Sequence, residues 1–165
     1  MKQGVDIIIL WNNMIKDDEY YMRIALKEAK KAYLSNEVPV GCCIIKDGYV
    51  IAKGYNLREQ KQDVTMHAEM IAIRKACKVL KRWILDDCTI YITAEPCLMC
   101  AGAISQARIK HIVYGVDSPK YGACESVENI FGNHKIFSNV DIKKGILKEE
   151  TESLMKEFFT NLRNK

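Results

Sequence analysis

A chain of 165 residues with 48% hydrophobic residues, 28% charged residues and a formal net charge of +4 at pH 7 has the balance of a globular domain large enough to bury a core without disulfides. No stretch reaches the roughly 18 apolar residues of a membrane span. The run Val5 to Trp11 is short, carries Asp6 and lacks a following cleavage-site pattern, so neither a membrane anchor nor a secretory signal is expected and a cytoplasmic location follows.

Residues 1–16 match no recognisable pattern and read as an N-terminal extension to one domain spanning residues 17–165. From Asp17 the acidic cluster Asp17-Asp18-Glu19 opens a helix with the apolar stripe Met22, Ala25, Leu26, Ala29, Ala32 and Tyr33, and its lysines gather near the C-terminal end. Val38 to Lys46 reads as a strand, Asp47-Gly48 as a two-residue hairpin turn, and Tyr49 to Asn56 as the returning strand. A polar loop, Leu57 to Val64, leads to a helix running from His67 to about Lys81 with Thr65 as its candidate N-cap. Thr89 to Thr93 forms a third strand, a helix starting near Cys97 crosses back, and Ile109 to Gly115 forms a fourth strand. A crossover of this length predicts parallel pairing of those two strands. Asp117 to Ile136 reads as a loop with a short helix, Val140 to Leu147 as a fifth strand, and Lys148 to Arg163 as a terminal helix. The seven cysteines, odd in number and irregularly spaced, argue against a secreted disulfide framework. Cys42, Cys43, Cys77 and Cys88 lie in apolar runs and read as small core residues, whereas Cys124 has no evident place.

The chemistry concentrates at two of the predicted helix starts. Pro96 marks the beginning of the second, because a proline in the first turn gives up an N–H that has no intrahelical partner. That places Cys97 and Cys100 on one face, where the positive end of the helix dipole favours thiolates. At the other helix start, His67 and Glu69 can converge on a point near the axis. His67, Cys97 and Cys100 supply three zinc ligands and leave a fourth position for water, the donor count of a catalytic zinc. Two thiolates cancel the formal charge of the ion, so a neighbouring base is needed, and Glu69 is the candidate acid and base. A closed zinc knuckle with Cys88, His111, Cys124 or His134 as fourth ligand, or a redox C-x-x-C, would also use these thiols, but neither accounts for Glu69.

His67-Ala68-Glu69 followed by Pro96-Cys97-Leu98-Met99-Cys100 is the pattern of the zinc nucleobase deaminases, in which the glutamate is not a ligand. On these residues the chain resembles the cytidine-deaminase superfamily and, within it, the bacterial tRNA adenosine deaminases. The resemblance runs from about Asp18 to the C-terminus and includes Glu37 to Gly41, Gly54-Tyr55-Asn56, Lys120 to Ala123, Asn133-His134 and Phe158-Phe159. It implies a three-layer α/β/α fold with a mixed five-stranded sheet between helices and one zinc ion per subunit. It also implies a homodimer that deaminates the wobble adenosine in a tRNA anticodon stem-loop, arginine tRNA being the expected substrate. In that family Asn56 would hydrogen-bond the flipped base, an amide offering both a donor and an acceptor to a purine edge. A lone asparagine at a strand end is otherwise a turn or cap residue. Pro39 and Val40 would wall the pocket, with Ala68 beside them. Ser118, Lys120, Phe159 and Arg163 would meet the RNA, through phosphate contacts or stacking. Phe158 and Phe159 also suit a core, and at least one of them is expected there.

Two other readings stay open on the sequence. Arg74 to Leu80 and Leu85 to Cys88 resemble guanine deaminases, a free-base branch of the superfamily, and a non-catalytic, zinc-stabilised RNA-binding subunit would use the same cluster without needing Glu69. The net charge fits RNA binding and an ordinary solvated surface equally well. The chain departs from the tRNA-enzyme pattern at Ser118, where an aspartate is usual, at Glu125, usually glycine, and at Gly132, usually bulky and apolar.

Overall fold

The computed structural model describes residues 16–133 and 139–164. The N-terminal extension up to residue 15 lies outside them, as does His134. Helix α1 (Asp18–Leu34) begins on Asp17, whose side chain accepts a hydrogen bond from the Tyr20 N–H at 2.9 Å. Strands β1 (Gly41–Lys46) and β2 (Tyr49–Tyr55) form a hairpin through Asp47 and Gly48, both at positive φ, as a two-residue turn matched to the strand twist requires. A short helix α2 (Arg58–Lys61) and helix α3 (Ala68–Leu80) follow. Strand β3 (Cys88–Ala94) then leads through helix α4 (Leu98–Gln106) to strand β4 (His111–Val116). The short helix α5 (Ile130–Asn133), strand β5 (Asp141–Lys144) and helix α6 (Lys148–Arg163) complete the described chain.

The five strands form one sheet in the order β2-β1-β3-β4-β5. β1 is antiparallel to both β2 and β3, while β3, β4 and β5 run parallel, so the sheet is mixed as the sequence predicts. Alternation along the strands explains the layers. Cys42, Ile44, Ile90, Ile92, Ile112 and Tyr114 pack into one core with residues of α3 and α4. Their sequence neighbours Cys43, Ile45, Tyr91 and Val113 pack on the other face against Tyr21, Met22 and Ala25 of α1. A sheet covered on both faces needs strands that are apolar throughout, which is how β1, β3 and β4 read.

Several element bounds differ from the sequence expectation for local reasons. The first strand starts at Gly41 because Val38 to Val40 turns on itself, the Val40 N–H donating to the Val38 carbonyl at 2.7 Å. The loop after β2 holds a helical turn, α2, whose start is capped from a distance by Glu37. Cys42, Cys43 and Cys88 are buried as expected, and Cys77 is half-buried. The end of β2 meets the start of α3 so closely that a Cβ on Gly54 would lie 2.2 Å from the Ala68 carbonyl oxygen. That contact brings Asn56, two residues on, towards the helix that begins with His67. Among the described residues no helix is long and apolar enough to cross a membrane.

Candidate metal centre and active site

Both candidate metal-binding motifs sit at helix N-termini, but one position earlier than the sequence suggests. His67 is the N-cap of α3 and Cys97 the N-cap of α4, each with extended backbone (φ −78°, ψ 154° and φ −74°, ψ 170°). Pro96 therefore precedes the cap and does not occupy the first turn. Thr65 is not the cap of α3 either, because its N–H and hydroxyl both donate to Asp63 Oδ1. The His67 side chain makes no cap bond to its own helix, and the Cys97 side chain meets its own helix at Cys100, the other thiol of the motif. An N-cap side chain ordinarily satisfies free N–H groups of the first turn, and here both are turned toward each other instead.

His67 Nδ1 lies 3.7 Å from Cys97 Sγ and 3.5 Å from Cys100 Sγ, and the three ligand atoms all lie within 4.8 Å of one another. With zinc–nitrogen and zinc–sulfur bonds of about 2.0 and 2.3 Å, a tetrahedron puts its nitrogen roughly 3.5 Å from each sulfur. The two nitrogen–sulfur edges of the cluster therefore already match those of a zinc site, and three donors leave one vertex for a non-protein ligand. Cys88, His111 and Cys124 are not part of the cluster. His111 instead faces Asp141 of β5 at 3.6 Å, and Cys124 is a fully buried core residue. The closed-knuckle expectation thus finds no fourth ligand among the described residues.

The electrostatics suit a cation. The hydrogen bond that Cys97 accepts from the Cys100 thiol, outweighing burial and helped by His67, holds the Cys97 thiol down to about 4. Cys100, the donor in that bond and buried, is pushed far above the ordinary thiol value. The pair thus gives up one proton readily and its second only to a positive charge placed between the sulfurs. Glu69, fully within the protein on the first turn of α3, is pushed up by burial to about 7, against the hydrogen bond from its own N–H, and the Cys97 thiolate adds to the rise. A carboxyl poised there can both take and return a proton near neutral pH.

The residues expected on the substrate side divide into two groups. Val38 and Val40, which flank Pro39, come together with Asn56: the Asn56 N–H donates to the Val40 carbonyl at 3.1 Å, and its Nδ2 donates to the Val38 carbonyl at 3.4 Å. Asn56 Oδ1 is buried with no hydrogen-bond partner among the described residues, the state of an acceptor kept for a ligand. Ala68 is buried at the first position of α3. The segment carrying Ser118 and Lys120 lies against the Cys97 turn, where Gly122 bridges to Cys97 and the Ala123 N–H donates to the Pro96 carbonyl. Phe159 and Arg163 belong to the last turns of α6. Phe158 is the buried member of its pair, packed edge-on against Tyr33, while Phe159 is exposed and Arg163 donates to Thr160. Of the departures, Glu125 pairs with Lys144 of β5, and the Gly132 N–H donates to Asn129 Oδ1.

Two residues that shape this region escaped the sequence reading. Glu37 accepts from the N–H groups of Glu59 and Gln60. Glu95 accepts from the N–H groups of Ser118, Cys124, Glu125 and Ser126 and from the Ser126 hydroxyl. Burial by itself would raise Glu95, but these hydrogen bonds, led by that of Ser118, hold it below the usual carboxylate value.

A mixed sheet flanked by helices, with a histidine, two cysteines and a buried glutamate at two helix starts, defines a zinc-dependent deaminase class. The chain belongs to the cytidine and deoxycytidylate deaminase family, whose zinc-binding region matches residues 15–116. Within that family it is 41% identical over 148 residues to the tRNA-specific adenosine deaminase of Bacillus subtilis (strain 168), covering 90% of this chain and 92% of that protein. A solved structure from work on A-to-I editing by tRNA:A34 deaminases at the wobble position superposes with a TM-score of 0.79 at 40% identity, covering 82% of this chain and 98% of the other. The guanine deaminase of Bacillus subtilis gives a TM-score of 0.60 at 34% identity, over 90% of this chain and 95% of that one.

Proposed function

We propose that this protein is a zinc-dependent enzyme that hydrolyses the wobble adenosine of a tRNA anticodon, arginine tRNA in the first instance, to inosine. The observation that carries the reading is the three-donor cluster with Glu69 buried beside it, in a chain about 40% identical to tRNA-specific adenosine deaminases over most of its length. His67, Cys97 and Cys100 would hold one zinc ion per subunit, and the ion, when bound, would supply Lewis acidity to a water beside Glu69. Glu69 takes a proton from that water and delivers it to N1 of the adenine as the oxygen attacks C6. The same carboxyl then passes the second proton to the amino group, so that the C6–N bond breaks, ammonia leaves, and the C6 carbonyl of inosine remains. Asn56 Oδ1 and Nδ2 orient the purine edge, Pro39, Val40 and Ala68 close around it, and Ser118, Lys120, Phe159 and Arg163 meet the anticodon loop. The enzyme acts in the cytoplasm as a homodimer, with residues 17–165 as its one domain.

The test is an assay of zinc-loaded protein on an arginine tRNA transcript with adenosine at the wobble position, beside free guanine, cytosine and adenosine. Inosine at the wobble position alone, lost in Glu69→Ala with zinc retained, is the expected result. Ammonia from guanine with the tRNA unchanged would move the chain to the free-base branch. A Glu69→Ala protein that binds tRNA as before, from a parent that turns over nothing, would make it an RNA-binding subunit.

A further inference from the structure

Glu95 takes no part in these proton transfers, yet its buried carboxylate is surrounded by donors from one segment. Oε2 accepts from the Ser118 N–H at 2.9 Å and from the Ser126 hydroxyl. Oε1 accepts from the N–H groups of Cys124, Glu125 and Ser126 at 3.0, 2.8 and 3.0 Å. The segment closes tightly around this charge: a Cβ on Gly122 would lie 2.1 Å from Oε2. It is then clasped to the metal turn through Ala123 to Pro96 and Gly122 to Cys97. On its outer side it presents Lys120 and Tyr121, the latter with 70% of its surface exposed, while Ser118 is half-buried.

We propose that Glu95 is a positioning residue for the substrate: its carboxylate is the template on which residues 118–126 fold, and it fixes that wall beside Cys97. Four backbone N–H groups converging on one anion make a fold of this segment that no neutral side chain of the same shape can hold, because an amide would set its own N–H against theirs. Glu95 immediately precedes Pro96, so the wall it organises is set directly beside the metal-ligand turn. An aromatic such as Tyr121 stacks on an extruded base only if the wall beneath it is rigid. The inference rests on the proposed reading of the segment as RNA-facing.

The experiment compares holoenzyme with Glu95→Gln and with Ser126→Ala, a milder variant that removes one donor. Zinc content, steady-state kinetics on tRNA and backbone hydrogen exchange are measured for each. In Glu95→Gln, exchange across residues 118–126 rises about ten- to hundredfold and KM for tRNA rises about tenfold or more, while kcat and zinc content stay near the parent values. Ser126→Ala moves the same two quantities in the same direction by a smaller factor. If Glu95→Gln does not fold, Ser126→Ala decides alone. Unchanged exchange across 118–126, or a loss confined to kcat with zinc released, overturns the proposal. A parent enzyme that leaves tRNA untouched defeats the substrate reading instead, and faster exchange with zinc retained would still identify Glu95 as the template.

Discussion

Glu69 and Glu95 are both buried carboxylates at a helix start within the same site, and their surroundings send them in opposite directions. At the start of α3, burial acts on Glu69 with few donors to oppose it and lifts it to about 7. Before α4, burial also acts to raise Glu95, but hydrogen bonds led by that of Ser118, with Ser126 and Glu125, outweigh it and hold the carboxyl below the usual value. A buried carboxyl poor in donors can exchange a proton, and one rich in donors becomes a fixed charge around which backbone folds. The two differ in donors as well as in the depth at which the carboxyl sits.

That contrast is sharpest where each glutamate loses its charge but keeps its shape. Glu69→Gln should lower turnover by about 10²–10⁴-fold, the usual range for an acid/base group, with zinc retained. Its melting temperature should hold or rise by about a few degrees, since a donor-poor buried acid is a cost to the fold. A clear fall in melting temperature would place Glu69 with the anchors. Glu37 provides the opposite control. It is fully buried and accepts the N–H groups of Glu59 and Gln60 at 3.1 and 2.7 Å, holding the loop that leads to His67. Hydrogen bonds to a charged group contribute about 1.5–3 kcal/mol, so Glu37→Gln should lower the melting temperature by about 4–10 °C. Its turnover per folded molecule should stay near that of the parent, and a selective loss of kcat would contradict an anchoring role.

The metal cluster was legible in the sequence because its parts are local: His67 and Glu69 are neighbours on one helix start, Cys97 and Cys100 on another, and strand-to-helix punctuation aims both. The sheet was legible for a similar reason, since β1, β3 and β4 are apolar on both faces and the Asp47-Gly48 turn fixes the hairpin. Glu37 and Glu95 were not. Their bonds reach across 22 and 31 residues to backbone N–H groups, and a backbone donor leaves no residue-type signature at the far end. The same holds for α2, whose cap is supplied from Glu37 and not from Leu57 beside it. Glu125 read as a departure because glycine is usual there in the family, and its partner, Lys144, lies on β5, out of local view. The resemblance gave Glu125 no role, and the fold gives it an ion pair.

Asp18 completes the comparison as a partly exposed carboxylate with intermediate support. Burial would raise it, but the ammonium of Lys143 and the hydroxyl of Tyr91, 2.8 Å away, outweigh that and lower it below the ordinary aspartate value. A carboxyl lowered by folding stabilises the native state at pH values above its unfolded pKa, and that contribution disappears as the pH falls through the folded pKa. Because Lys143 is open to solvent and Asp18 only partly enclosed, the pair contributes little to stability. Asp18→Asn should therefore melt about 1–3 °C below the parent at pH 7, with the gap narrowing below about pH 4. Raising salt should narrow it too, because the ion pair is screened. The contacts of Glu95 are enclosed, so the exchange protection it provides should survive the same salt. Equal salt sensitivity at Asp18 and Glu95 would mean that the Glu95 nest is open to water, and the division between fixed and exchangeable carboxylates would have to be redrawn around solvent access instead of donor count.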